Sequence, residues 1–404
     1  MNEFVETLLE IPWHEPKRAY DVIVIGGGGH GLSAAYHLAE RHGITNVAVI
    51  EGNYIGSGNS GRNTTIIRSN YGVPESVRFY QHSVDLYRRL EEETGCWIMH
   101  STRGLMWLVH TESGMRGERA RAMLNTACGT DTYMIGPDEA RKLCPQLDVT
   151  GGGRYEVRGG SYHPGGASAR HDRVVWAYAQ GAAQRGVHII QHTPVTGLLQ
   201  SPDGSRVTGV MTPSGPISAG MVLSAVGGNV TKVMDMAGVR IPVRTHPLQA
   251  FVTNAFAPEF PSIVSSLELL TYVSQTARGQ LLMGAEFEAQ PTYSMQTSFS
   301  TLANVSAKVA VILPFVKGLR ILRQWTGICD VSADFSPIMG PTGVDGLCVT
   351  TGWGTWGFKA IPASGEQLAE YIATGSVPSL IRPFGLERFA ADHPLADQGS
   401  TGTR

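Results

Sequence analysis

Asp21-Val-Ile-Val-Ile25, followed at once by Gly26-Gly-Gly-Gly-His-Gly31, decides the fold. The first five residues are a short apolar run of the kind a parallel strand buried on both faces requires. The glycines lead into a helix expected over Leu32 to His42, with Leu32, Ala35, Leu38 and Ala39 on one face. A second apolar run, Val47-Ala-Val-Ile50, ends in Glu51, twenty residues beyond Gly31. Strand, glycine turn, helix, strand and acidic end together form the βαβ fingerprint of dinucleotide binding. In it Gly26 makes the tight turn, Gly28 lets the backbone approach a pyrophosphate, and Gly31 lets the helix close on the strand. The helix N-terminus offers free N–H groups and a dipole to the phosphates. Glu51 accepts from ribose hydroxyls and repels a 2′-phosphate, which disfavours NADP and leaves FAD or NAD.

The far end of the chain separates those two. Gly56-Ser-Gly-Asn-Ser-Gly-Arg-Asn63 is a small, polar loop able to lie against a pyrophosphate and a flat ring. Gly346-Leu-Cys-Val-Thr-Thr-Gly352 reads as a strand running into the glycine turn Gly352-Trp-Gly-Thr-Trp-Gly-Phe-Lys359, then a helix with Pro362 in its first turn. A second helix N-terminus aimed at the cofactor stabilises negative charge near N1 and C2=O of a reduced flavin. A nicotinamide has no such need, so FAD is favoured.

Composition removes other classes. The chain has 404 residues, 42% hydrophobic and 16% charged, with net charge -2, so neither sign dominates and no nucleic-acid partner is suggested. Five scattered cysteines without a C-x-x-C pair argue against zinc and fit a reducing cytoplasm. No run reaches the roughly 18 to 20 apolar residues of a membrane span, and Met1 to Tyr20 lacks the basic head and apolar run of a signal peptide. A soluble, cytoplasmic protein is expected, with no metal site.

Four segments carry a resemblance: Gly26–Gly31, Ser60-Gly-Arg-Asn-Thr-Thr-Ile-Ile-Arg-Ser-Asn-Tyr-Gly72, Ala225-Val-Gly-Gly-Asn229 and Gly352–Lys359. With them the chain, from Asp21 to about Gly375, resembles the FAD-dependent amino acid and amine oxidoreductases that include sarcosine oxidase, D-amino acid oxidase and glycine oxidase. Through Ala169-Arg-His-Asp-Arg-Val-Val-Trp-Ala-Tyr-Ala179 it is most similar to the beta subunits of heterotetrameric sarcosine oxidases. The resemblance implies an α/β fold in which a Rossmann-type FAD domain is interleaved with an α+β substrate domain on an antiparallel sheet. The FAD pieces are expected at 20–98, 157–229 and 335–385, the substrate pieces at 99–156 and 230–334, and a tail at 386–404. Leu105–His110 and Gln280–Phe287 read as strands of the second sheet. Pro194-Val195-Thr196 is expected to open a strand that meets adenine at Val195.

The resemblance also implies site residues. Noncovalent FAD is expected on Gly26, Gly28, Gly29, His30, Gly31, Glu51, Asn59, Arg62, Asn63, Thr64, Ile66, Val195, Gly354, Gly357 and Lys359. An amino acid carboxylate must be fixed so that its C–H bond faces flavin N5, and buried carboxylates need cationic partners. Arg68 and Lys359 are the candidates. The lysine that single-chain sarcosine oxidases keep above the flavin is replaced by Leu282 when Gly284 is matched, and no lysine lies between Thr271 and Ser300. Without that cation oxygen is reduced poorly, so the electrons need another exit. Heterotetrameric relatives provide one in a second flavin, FMN, bonded covalently to a beta-subunit histidine at the alpha-beta interface. His171 is the expected histidine, with His163 its competitor beside a turn, and His246 and Arg323 lining the FMN. Matching Asp334 places Gly327, not Cys329, where single-chain enzymes tether FAD.

The implied partners are alpha, gamma and delta subunits, sarcosine and oxygen, with tetrahydrofolate and NAD on the alpha subunit. The implied products are glycine, a one-carbon unit as formaldehyde or methylenetetrahydrofolate, and hydrogen peroxide. Two other readings stay open: a single-flavin secondary amino acid dehydrogenase of the proline type, and a noncatalytic subunit that uses the fold as a scaffold.

Overall fold

A computed structural model of the chain describes residues 11–257, 260–285 and 287–395. The first ten residues read for a leader, Glu286, and residues 396–404 of the tail lie outside the described residues. The strand Ala19–Ile25 pairs in parallel with Val47–Ile50 on one side and Gly215–Ser224 on the other. His188–Ile190 extends the parallel run beyond Val47–Ile50. The long Gly215–Ser224 strand forks: its first half pairs antiparallel with Val207–Thr212, and its end pairs parallel with Leu347–Thr351. Alternation along Ala19–Ile25 splits its side chains between two cores, Val22 and Val24 under the helices and Ile23 and Ile25 on the opposite face. Burial on both faces is what the unbroken apolar run encodes.

A second eight-stranded sheet runs Ile321–Ser332, Val243–Ala255, Gln280–Ala285, Thr271–Gln275, Ile263–Ser266, Leu105–Val109, Gly159–His163, Tyr133–Ile135. It is antiparallel except for one pair, Ile263–Ser266 beside Leu105–Val109, which is parallel. Those two strands are far apart in sequence, so no hairpin forces them antiparallel, and the expected antiparallel sheet carries this one parallel pair. Gly159–His163 stands in this second sheet, on the other side of the boundary expected at 157. Strands of the first sheet thus come from 19–50, 188–224 and 338–351, and those of the second from 105–163 and 243–332.

Both helices that face the cleft begin earlier than expected. The first spans Gly29–His42, since close packing against the C-terminal helix outweighs the low helix propensity of glycine: a Cβ on Gly29 would lie 2.3 Å from Ile361 Cδ1. The C-terminal helix spans Gly357–Thr374, so Pro362 is its sixth residue and not in its first turn. Proline has no N–H to offer the Phe358 carbonyl four residues back. The Tyr87 hydroxyl donates to that carbonyl instead, at 2.6 Å, and the Ser83 hydroxyl donates to the Lys359 carbonyl at 2.7 Å. Both come from the helix Pro74–Thr94 and hold the proline-interrupted turn that carries Lys359. Tyr87→Phe leaves a buried carbonyl unpartnered and is expected to lower stability by about 1–3 kcal/mol. Urea unfolding with the slope unchanged would report it; an unaltered midpoint would show that the proline gap needs no brace.

Candidate active site

A cavity of about 780 Å³ lies where the ends of the first-sheet strands meet the second sheet. Every residue assigned to FAD from the sequence lines it except Gly31. Gly31 acts from behind: a Cβ there would sit 2.1 Å from the Gly26 carbonyl oxygen and 3.0 Å from Val24, so only glycine lets helix and strand close. Gly26 has φ +109 and faces the Ala225 carbonyl, the tight turn the fingerprint demands.

Glu51 accepts from the Gly27 and Asn53 amides, each at 2.8 Å, so its carboxylate also shapes the glycine turn. Ser60 Oγ accepts from the Gly29 amide at 2.9 Å. Neither cleft-facing helix has an acidic residue in its first turn, and neither N-cap residue, Gly28 or Trp356, caps through a side chain. Their N-terminal dipoles therefore point into the cavity unneutralised, which fits a group that is anionic at the pyrophosphate and gathers charge at the ring. Glu51→Ala is expected to raise the FAD dissociation constant by roughly tenfold or more, for one or two lost hydrogen bonds of about 1 kcal/mol each. FAD remaining after dialysis measures this; undiminished retention sinks the ribose assignment.

The flavin-loop residues are braced more than the sequence showed. The Asn59 side chain accepts from the Ile328 amide at 2.9 Å and donates to its carbonyl at 2.5 Å, tying the loop to the strand Ile321–Ser332. Arg62 donates to the Gly58 carbonyl, and its own carbonyl accepts from Trp325 Nε1. Asn63 accepts from the Thr65 amide at 2.7 Å, where Thr65 adopts φ +66. Thr64 and the Tyr272 phenol lie 3.1 Å apart, and Gly284 is bare where a Cβ would strike that phenol at 2.2 Å. Ile66 pairs with Ser168 in a small third sheet. Val195 lines the cavity from the segment ahead of the strand that starts at Gly197, beyond the Pro194–Thr196 opening expected. Gly354 donates to the Asp330 carbonyl at 2.8 Å, and Gly357 opens the C-terminal helix. The His30 ring stacks on Trp353 at 4.3 Å and its Nδ1 lies 2.5 Å from Ser364 Oγ; burial holds its pKa down at about 3, so the imidazole is neutral.

The cation pair is brought together. Arg68 is 4% exposed and Lys359 6%, and both line the cavity. Arg68 donates to the Asn70 carbonyl at 2.7 Å and lies over the Tyr71 ring at 4.3 Å, with Trp107 at 5.4 Å. Lys359 Nζ donates to the Thr355 carbonyl at 3.1 Å. Burial first, then the like charge of Arg68, pushes the Lys359 pKa well below the usual lysine range.

Several wall residues escaped the sequence reading. Asp330 accepts from the Thr351 hydroxyl at 2.8 Å and the Trp353 amide at 3.3 Å, and burial raises its pKa to about 6. Trp107, Tyr272 and Lys232 also line the cavity. Gly327 and Cys329 both reach it, and burial pushes the Cys329 thiol up, which keeps it protonated. The two histidines and the arginine assigned to FMN do not share this cavity. His171 is the first residue of the helix His171–Gln184, half-buried. His246 has Nδ1 2.8 Å from the Glu288 carbonyl oxygen. Arg323 lines a second, open cavity of about 530 Å³, which shares Arg62 and Met295 with the first. His163 is buried, with Nδ1 2.8 Å from the Asp131 carbonyl oxygen.

The sequence profile described as DAO, FAD dependent oxidoreductase, matches residues 21–371. Sarcosine oxidase subunit beta of an Arthrobacter species is 41% identical over 386 residues, 96% of this chain and 95% of that protein. The subunit of that name from Rhodobacter capsulatus is 41% identical over 375 residues, 93% of this chain and 90% of its own length. Among solved structures, L-proline dehydrogenase from P. horikoshii superposes with TM-score 0.87 at 29% identity, covering 93% of this chain and 99% of that one. Among the described residues no helix is long and apolar enough to cross a membrane, and no cluster of side chains could hold a metal ion.

Proposed function

The chain belongs to the FAD-dependent oxidoreductase family, and from that membership we propose that it is the FAD-bearing beta-type subunit of a sarcosine oxidase. The observation that carries the proposal is the buried pair Arg68 and Lys359 on the wall of a cavity whose other end is the βαβ fingerprint. When bound, noncovalent FAD supplies the acceptor for a hydride from the substrate carbon. The chain supplies the rest. Gly26 to Gly29 and the first helix hold the pyrophosphate, and Glu51 takes the ribose. Arg68 and Lys359 fix the carboxylate, so that the N-methyl carbon and not the acid end faces the ring. Trp107, Leu105 and Ile66 exclude water beside Arg68, which strengthens each charge interaction there.

The oxidation yields glycine and a one-carbon unit, released as formaldehyde or passed to tetrahydrofolate. His171 would hold a covalent FMN, and that group would supply the route by which electrons reach oxygen to give hydrogen peroxide. The lack of lysine on Gln280–Ala285 supports such an exit: Leu282 shares the face of Gly284, and no fixed cation stands on that strand to favour oxygen reduction. The proposed assembly adds alpha, gamma and delta partners, with folate and NAD on the alpha subunit, in the cytoplasm. The interleaved domain partition belongs to the same proposal, as do His246 and Arg323 as FMN contacts.

Anaerobic mixing of the FAD-loaded chain with sarcosine is expected to bleach the flavin band. The likeness to L-proline dehydrogenase favours a second reading, a single-flavin dehydrogenase of the proline type. Faster bleaching by L-proline than by sarcosine would select it, and no bleaching by either would overturn both.

A further inference from the structure

We propose that the Lys359 amine is the base that takes the ammonium proton of the bound substrate, becoming in that step the cation that holds the substrate carboxylate. The inference rests on the reading that the cavity accepts an amino acid. Among the described residues Lys359 Nζ makes one side-chain hydrogen bond, to the Thr355 carbonyl, and no ion pair. Arg68 is the one charge that acts on it, and it has the same sign. Among the described residues no carboxylate pairs with Lys359. Asp330, on the strand Ile321–Ser332 and with its pKa raised by burial to about 6, is engaged with Thr351 and Trp353 and is not among the charges acting on Lys359. Glu366 lies two turns along the same helix and is paired with Arg41 from the first helix and His82 from Pro74–Thr94. His30, the other titratable group at this helix start, is neutral.

An ammonium without a counterion, shut away from water beside a guanidinium, gives up its proton. A flavin ring laid over the site excludes more water and acts in the same direction. At this end of the resting cavity the guanidinium of Arg68 then faces an amine with a free lone pair. An amino acid arrives as a zwitterion: its carboxylate stabilises a second cation at Lys359, and its ammonium carries the proton needed to make one. One N–H bond breaks on the substrate nitrogen and one forms on Nζ, with no electrons exchanged. The free substrate amine regains the lone pair that assists loss of hydride from the adjacent carbon, the electron pair going to the flavin. A permanently charged Lys359 would bind the carboxylate but leave the substrate nitrogen protonated and unreactive.

Methoxyacetate, which is sarcosine with an ether oxygen in place of the amine, tests this on the FAD-loaded chain. It brings the carboxylate without the proton, so near neutral pH its binding is expected to draw about one proton from solvent. Titration calorimetry in buffers of different ionisation enthalpy reads that number. Lys359→Arg, always charged, should bind methoxyacetate with no proton uptake. In that variant flavin reduction by sarcosine should fall tenfold for each pH unit below the ionisation of the free amine, while the native rate stays level over the same range. Binding of methoxyacetate to the native protein without proton uptake overturns the proposal, as does a Lys359→Arg profile parallel to the native one. If methoxyacetate leaves the flavin spectrum unperturbed and sarcosine does not bleach it, the amino acid reading itself has failed.

Discussion

Arg68→Ala is expected to slow reduction of the bound flavin by sarcosine by roughly a hundred- to a thousandfold, equivalent to about 3–4 kcal/mol of lost transition-state positioning. The size follows from burial. Arg68 is 4% exposed and held by the Asn70 carbonyl and the Tyr71 ring, so its guanidinium reaches the cavity already oriented. A substrate carboxylate that loses such a partner is left desolvated opposite Lys359 alone, and it no longer has a planar fork to fix its rotation. Both affinity and the chemical step should suffer, because the angle between the C–H bond and the flavin depends on the same contact. Arg68→Lys restores charge without the fork and should recover affinity more than rate. The FAD content of both variants should match the native protein. Reduction within about threefold of the native rate in Arg68→Ala would show that the carboxylate lies elsewhere.

What could be read from the sequence, and what could not, divides along a physical line. The nucleotide half was legible because its signal is local: an apolar run, glycines at fixed spacing and an acidic strand end all fall within Ala19–Glu51. The second sheet was not, apart from two of its strands. Leu105–Val109 finds its neighbour Ile263–Ser266 only after the chain has returned to the first sheet and left it again. Such a pairing leaves no periodic trace near either strand. The same holds for Asp330 and Trp107, which are ordinary residues in their own strands and become wall residues only through topology. The start of the C-terminal helix was misjudged because Pro362 looks like a first-turn proline. The compensation that lets it stand deeper, hydroxyls from Tyr87 and Ser83, comes from 271 and 276 residues upstream of the carbonyls they reach. Asn59 shows the converse case: the loop was recognised, but its amide is engaged with the Ile328 backbone, which the loop sequence does not reveal.

His171→Asn is expected to keep FAD, keep flavin reduction by sarcosine, and lose most peroxide formation in the assembled enzyme. Attack by a histidine on the 8-methyl carbon of a flavin in its quinone-methide form needs a neutral imidazole nitrogen with room beside it. His171 is the first residue of the helix His171–Gln184 and half-buried, and its ring makes no side-chain hydrogen bond among the described residues. Burial lowers its pKa, with Asp172 opposing and Arg170 reinforcing the shift, and the positive end of the helix also disfavours protonation. His163, by contrast, is tied to the Asp131 carbonyl inside the second-sheet core and is 2% exposed. It could not reach a second flavin without breaking that core. His171 lines neither the 780 Å³ cavity nor the 530 Å³ one, so the flavin proposed for it lies apart from both. The native assembly should therefore show one FMN mass on the peptide containing His171 after denaturation, with FAD released free. The variant should stall with reduced FAD in the presence of oxygen, since no cation on Gln280–Ala285 helps that flavin react directly. Native-level peroxide formation by His171→Asn, or a His171 peptide of unmodified mass from the active assembly, would return the protein to the single-flavin reading.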